Sequence, residues 1–127
     1  MDPLVQFGGQ NYLSLETYRK TGAAVATPVW FAESGPGVYY AYSEAQAGKV
    51  KRIRNNPKVR IAPCTMRGRV TGEWVEARAR IVEDGAEIAR AQHLLSRKYL
   101  LKHLFDVLRK FSPKPRALIE IRVDGAG

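Results

Sequence analysis

The chain carries one cysteine, Cys64, and two histidines, His93 and His103, in 127 residues. A single cysteine excludes an intrachain disulfide and suits a reducing compartment, where Cys64 reads as a buried free thiol. Both histidines fall in one helical segment, and nothing places either beside Cys64. A thiolate nucleophile lacks the partner that would lower its pKa, and no Cys/His metal set can be assembled. Paired carboxylates, a phosphate-binding Walker loop and a G-x-G-x-x-G fingerprint are also missing. No apolar run approaches the ~20 residues that span a bilayer. Met1 to Gln10 has no basic stretch followed by an apolar one, so no leader is read there. These absences predict a soluble cytoplasmic protein without a membrane partner.

Acidic residues are scarce. Twelve Asp and Glu stand against 21 Lys and Arg, giving a net charge of +9. That excess selects anionic partners: nucleic acid, an anionic membrane or an acidic small molecule. Composition does not choose among them. At 45% hydrophobic, residues 1–127 suffice for one domain with one core, burying roughly two-thirds of the unfolded surface.

Periodicity divides the chain into strands and two helices. Tyr12 to Tyr18 alternates and reads as a strand, Arg19 to Gly22 as a turn, and Ala23 to Ala32 as a buried strand. Pro28 inside that run marks an edge, a bulge or a break in pairing, because proline donates nothing to a ladder. Glu33 to Gly37 reads as a second turn and Val38 to Tyr42 as a third strand. Ser43 with Gln46 three residues on reads as a capping box opening a helix that runs to about Arg54, stopped by Asn55-Asn56-Pro57. Lys58 to Met66 and Trp74 to Val82 are the fourth and fifth strands. Ala86 to about Lys110 is helical, with a kink or break near Leu100 to His103. Ala117 to Val123 returns as a sixth strand. Short strands and tight turns imply antiparallel pairing. The expected fold is mainly β, with minor α: a six-stranded antiparallel barrel, closed or nearly so, with flanking helices.

Three segments can carry chemistry. From Lys49 to Arg60 the chain has six basic residues (Lys49, Lys51, Arg52, Arg54, Lys58 and Arg60) and no acidic one. With Ser43 at a strand end where a helix begins, this reads as an anion site, since a helix N-terminus offers free N–H groups and a positive partial charge. Lys49, about two turns in, reaches a phosphate if the helix start is irregular near Gly48. The plainer alternative is a solvated basic helix face. Ala26-Thr27-Pro28-Val29-Trp30-Phe31 leaves backbone groups unpaired around the proline, and these suit the edge of a planar heterocycle. Trp30 and Phe31 point to opposite faces, one available to a ring and the other to the core. The alternative is that all are core. Pro63 in the fourth strand repeats the edge signal.

Taken together, the run "GAAVATPVWFAESGPGVYYAYSEAQAGKVKRIRNNPKVRIAPCTMRGRVTGEWVEARARIV" resembles the pyridoxamine 5′-phosphate oxidase-like split-barrel superfamily. Within it the likeness is to the actinobacterial group described as deazaflavin-dependent (coenzyme F420) enzymes. "ATPVWF", "GKVKRIRNNP" and "APC" followed by "RG" carry it, over about Leu13 to Val123. The resemblance implies a six-stranded split barrel whose homodimer interface builds two equivalent cofactor sites. It implies that the cofactor ring lies against Thr27, Pro28, Val29, Trp30 and Phe31. Tyr42 and Ser43 would contact the phosphate arm, Lys49 the phosphate itself, and Lys51 a second anionic group. The chain departs from pyridoxamine phosphate oxidase at its end, "IEIRVDGAG", which lacks the basic and histidine segment that holds the pyridoxal phosphate. An arginine that contacts the flavin in that enzyme is replaced here by Thr27.

Two cofactors compete, coenzyme F420 and flavin mononucleotide (FMN). F420 carries a phosphodiester and a polyglutamate tail, and a +9 chain suits the more anionic ligand, though each exposed charge contact is worth at most about 1 kcal/mol. The function expected is hydride transfer between reduced F420 and a small organic substrate. The chemistry belongs to the cofactor, so no side chain is assigned as catalytic, and Trp30, Tyr39 and Tyr42 shape the pocket. An FMN-dependent oxidoreductase, or a flavin or F420 carrier without turnover, is the alternative. A nucleic-acid binder using Lys49 to Arg60 and the basic end of the long helix is the third reading. It is disfavoured because the aromatics sit on apolar strands and are not interleaved with the basic run.

Overall fold

The computed structural model describes residues 2–99 and 116–125. Its strands are β1 (Tyr12–Tyr18), β2 (Ala24–Gly35), β3 (Val38–Glu44), β4 (Lys58–Pro63), β5 (Val75–Ile81) and β6 (Arg116–Val123). They close a barrel in the order β1-β2-β3-β6-β5-β4, every pairing antiparallel. The expected fold class is the one observed. Gly22 and Gly37, with φ of 91° and 74°, turn the β1–β2 and β2–β3 hairpins through a region that costs a side chain strain.

Alternation along each strand builds the interior. Leu13, Leu15, Val29, Phe31, Tyr39, Ala41, Val59, Ile61, Ile119 and Ile121 form one buried cluster inside the barrel. Each large member contributes about 1.5–3 kcal/mol by leaving water. Tyr39 is 1% exposed and belongs to this core, not to a pocket wall. A short 3-10 helix, Pro3–Phe7, packs Phe7 edge-on against Phe31 at 6.2 Å and tilted against Tyr39 at 5.3 Å. The opposite end is stoppered by Ile53 of α1 (Gly48–Asn55). Outside the barrel, Ala32, Tyr40 and Leu118 pack under Ala91, Leu95 and Tyr99 of α2 (Gly85–Tyr99). The Asp84 carboxylate accepts from the Glu87 N–H at 2.9 Å and caps α2. The kink expected near Leu100 to His103, the helix beyond Tyr99 and His103 lie outside the described residues. No described helix is long and apolar enough to cross a membrane.

The capping box at Ser43 is not formed. β3 continues through Ser43 and Glu44, which pair with Ala117 and Arg116 of β6, and the Ser43 hydroxyl donates to the Glu44 carbonyl at 3.1 Å. The helix begins at Gly48, with Ala47 as a cap that makes no side-chain bond. A strand partner far along the chain, Ala117 for Ser43, outweighs the local serine-to-glutamine signal, so Lys49 lies in the first turn of the helix rather than two turns in.

Candidate functional site

The barrel is split along one seam. The β2–β3 ladder runs between Phe31↔Ala41 and Gly35↔Val38 and goes no further. Below that rung β2 continues from Trp30 to Ala24 paired with β1, while β3 continues from Tyr42 to Glu44 paired with β6. The two strands therefore part below that rung, and this seam has the expected site residues Thr27, Pro28, Val29 and Trp30 on its β2 side and Tyr42 and Ser43 on its β3 side.

Main-chain directions follow from one bond. The Phe31 N–H donates to the Tyr99 hydroxyl at 3.0 Å, and that hydroxyl donates to the Asn11 carbonyl at 2.7 Å, at the head of β1. Phe31 thus faces β1 with its backbone. Strand alternation turns the backbones of Trp30, Pro28 and Ala26 the other way, toward the seam. A proline at position 28 costs the β1–β2 ladder no hydrogen bond, and the sequence signal of an edge is accounted for.

Side chains alternate in the same manner. Thr27 and Val29 share the inward face with Ser43; Pro28, Trp30 and Tyr42 face out. Val29 is core at 4% exposure and Ser43 is buried at 7%. The Thr27 hydroxyl is buried and has no hydrogen-bond partner among the described residues, an orphaned polar atom on the seam strand. Trp30 stacks on Tyr99 at 5.1 Å with 18° between the planes and tilts against Tyr12 at 6.1 Å. The Tyr42 ring lies under the Arg116 guanidinium at 5.6 Å. It also borders an outer cleft of about 460 Å³ lined by Arg54, Ile81, Ile88, Gln92 and Leu118.

The floor of the seam is cationic. Lys49 is half-buried; desolvation first, and Arg52 second, push its pKa down, with Glu44 opposing. Arg52, one turn later, belongs to the basic run read as an anion site but carries no individual contact in that reading, though its i, i+3 spacing from Lys49 is the available signal. Its Nε donates to the Thr17 hydroxyl at 2.6 Å, beside Val25, Thr17's partner on β2. Burial lowers the Arg52 pKa and Arg19 adds repulsion. Neither Lys49 nor Arg52 joins an ion pair among the described residues. Lys51 is exposed on another face of α1 and is not brought to this cluster.

The group is suited to holding a planar anion and poorly suited to nucleophilic chemistry. Cys64 is buried, and burial pushes its thiol pKa up. His93 is exposed, and no metal-binding cluster of His, Cys, Asp or Glu occurs among the described residues.

The architecture recurs in solved structures. A FAD-binding protein from Mesorhizobium loti superposes with a TM-score of 0.67 at 19% identity, covering 97% of this chain and 88% of its own. The heme storage protein HutZ from Vibrio cholerae gives 0.68 at 16% identity, covering 91% and 83%. General Stress Protein 26 from Bacillus anthracis gives 0.64 at 22%, covering 96% and 86%. At such identities the likeness is one of fold. No curated protein sequence matches the chain. Residues 3–126 match the model of the pyridoxamine 5′-phosphate oxidase family, and with nearly the whole length matched and the split barrel in place, the chain belongs to that family.

Proposed function

We propose that the chain binds an anionic flavin-type cofactor in the seam, coenzyme F420 in preference to FMN, and serves as an oxidoreductase on a small organic substrate. The observation that carries this reading is the meeting of two features at one place: a β2 edge, Ala24 to Val29, that pairs with no strand on the β3 side among the described residues, and two cations at its foot, Lys49 and Arg52, that join no ion pair among the described residues. The residues fit such a ligand. Lys49 and Arg52 hold the phosphate, aided by the first-turn N–H groups of α1. Ser43 and Tyr42 border its arm, Thr27 supplies the orphaned hydroxyl, and Trp30 walls the ring from outside. Lys51, exposed on α1, is left for the anionic tail. When bound, the cofactor supplies the hydride; the chain orients the ring, keeps water from one face and compensates its charge.

The reading includes a second copy of the chain closing the open side of the seam. Met66 and Val70 support it, as large apolar side chains left 66% and 37% exposed on the β4–β5 loop. That loop approaches Pro28 closely enough for a Cβ at Gly68 to lie 3.6 Å from the proline ring. The excess of +9 supports F420 over FMN. The test is fluorescence titration of the purified protein with each cofactor. Saturable binding of F420, tighter than FMN, is expected; indifference to both overturns the reading. Consumption of reduced F420 with added acceptors then separates enzyme from carrier.

A further inference from the structure

The seam-facing edge of β2 has an uneven hydrogen-bonding character. The Tyr99 bond fixes the alternation, so Ala26, Pro28 and Trp30 present their main chain to the seam. At Pro28, the middle of these, the edge offers a carbonyl and no N–H. The neighbouring seam-facing residues lie about 7 Å away along the strand on either side. A ligand whose phosphate rests on Lys49 and Arg52 starts beside Thr17 and Val25. Its ring must then run up β2 past Pro28 toward Trp30.

Resting on the cofactor reading above, we propose that Pro28 is a specificity-determining residue, selecting a tricyclic ring with carbon rather than nitrogen at position 5. An oxidised flavin carries adjacent acceptors there, O4 and N5. Set against a carbonyl and denied an N–H, N5 is buried without a donor, a loss that lowers affinity. The 5-deaza ring presents a C–H at the same place, which a carbonyl tolerates and weakly attracts. The selection therefore acts on one ring atom and does not depend on the charge of the tail.

FMN and 5-deaza-FMN, which share phosphate and ribityl chain and differ only at position 5, isolate the effect. Both are titrated in their oxidised forms against the wild-type protein and Pro28→Ala, with bound-ligand fluorescence as the readout and circular dichroism to verify the fold. The wild type is expected to prefer 5-deaza-FMN by roughly tenfold, and Pro28→Ala, which restores an N–H, to tighten FMN and erase the preference. Equal affinities in the wild type overturn the proposal without touching the cofactor reading, as does a preference that survives in a folded Pro28→Ala. Binding of neither compound by a protein that titrates with F420 also overturns the proposal, and the F420 titration decides the cofactor reading separately.

Discussion

The hydroxyl of Tyr99 stands in for a rung between Phe31 and the head of β1. It accepts from the Phe31 N–H at 3.0 Å and lies 2.7 Å from both the Phe31 and Asn11 carbonyls. Burial pushes its pKa up, so it stays protonated as donor and acceptor. Tyr99→Phe leaves a buried N–H and a carbonyl without their partner. The expected loss is about 1–3 kcal/mol, read as a fall of several degrees in melting temperature. Trp30 keeps its stacked ring in this variant, so its emission maximum should hold; Tyr99→Leu should shift it.

Gly48 and Arg52 separate stability from binding. A Cβ at Gly48 would stand 2.6 Å from Arg52 Nη1, and the flexible guanidinium is the part that yields. Gly48 does not have a positive φ, and alanine is the better helix former by up to about 1 kcal/mol. Gly48→Ala is expected to match or exceed the wild type in thermal stability. It should also bind F420 several-fold more weakly, because Arg52 is displaced from Thr17. Weaker binding accompanied by unfolding would contradict this.

Lys49→Ala is expected to raise the F420 dissociation constant at least about tenfold, since a hydrogen bond to a charged group contributes about 1.5–3 kcal/mol. The amine is partly desolvated and repelled by Arg52, so its removal should leave the melting temperature unchanged or slightly raised. Lys51→Ala, on the exposed face, should cost less and lose its effect in high salt. Isothermal titration at two salt concentrations measures both.

Acid should loosen the barrel wall in a defined window. Arg60 pairs with Glu16 through Nε at 2.7 Å and Nη2 at 3.1 Å, and holds the Glu16 carboxyl below its ordinary 4.5. Arg80 does the same for Glu87, which also accepts from the Tyr40 hydroxyl at 2.8 Å. Folded carboxyl pKa values below the unfolded ones add stability above about pH 4.5, lost as pH falls through the folded values. Denaturant unfolding should give a level stability from pH 7 to about 5 and a decline below. Glu16→Gln should flatten the decline while lowering the plateau.

Much of this was legible in the sequence because it rests on local rules. Alternation and apolar runs bounded by turn residues locate all six strands, Gly22 marks a turn, and Pro28 marks an edge, a bulge or a break, of which the edge is the one found. Tyr39 was a candidate pocket residue and is core, since alternation assigns a face without saying which face is inside. The start of α1 differs from the sequence expectation because Ser43 satisfies a local helix signal that pairing with Ala117 overrides. For a related reason the basic run alone gives Arg52 no contact of its own. Its role depends on Thr17, 35 residues away in the chain, and only the closed barrel brings the two together. The Asp84 cap, by contrast, is a local signal, an aspartate three residues before Glu87, from whose N–H it accepts a hydrogen bond.

The central claim is one of place, and amide-resolved NMR during titration with F420 tests it most directly. Shifts concentrated in Ala24–Trp30, Tyr42–Glu44 and Gly48–Arg52 are predicted. Shifts gathered instead along β5 and α2, or none at saturating ligand, would contradict it.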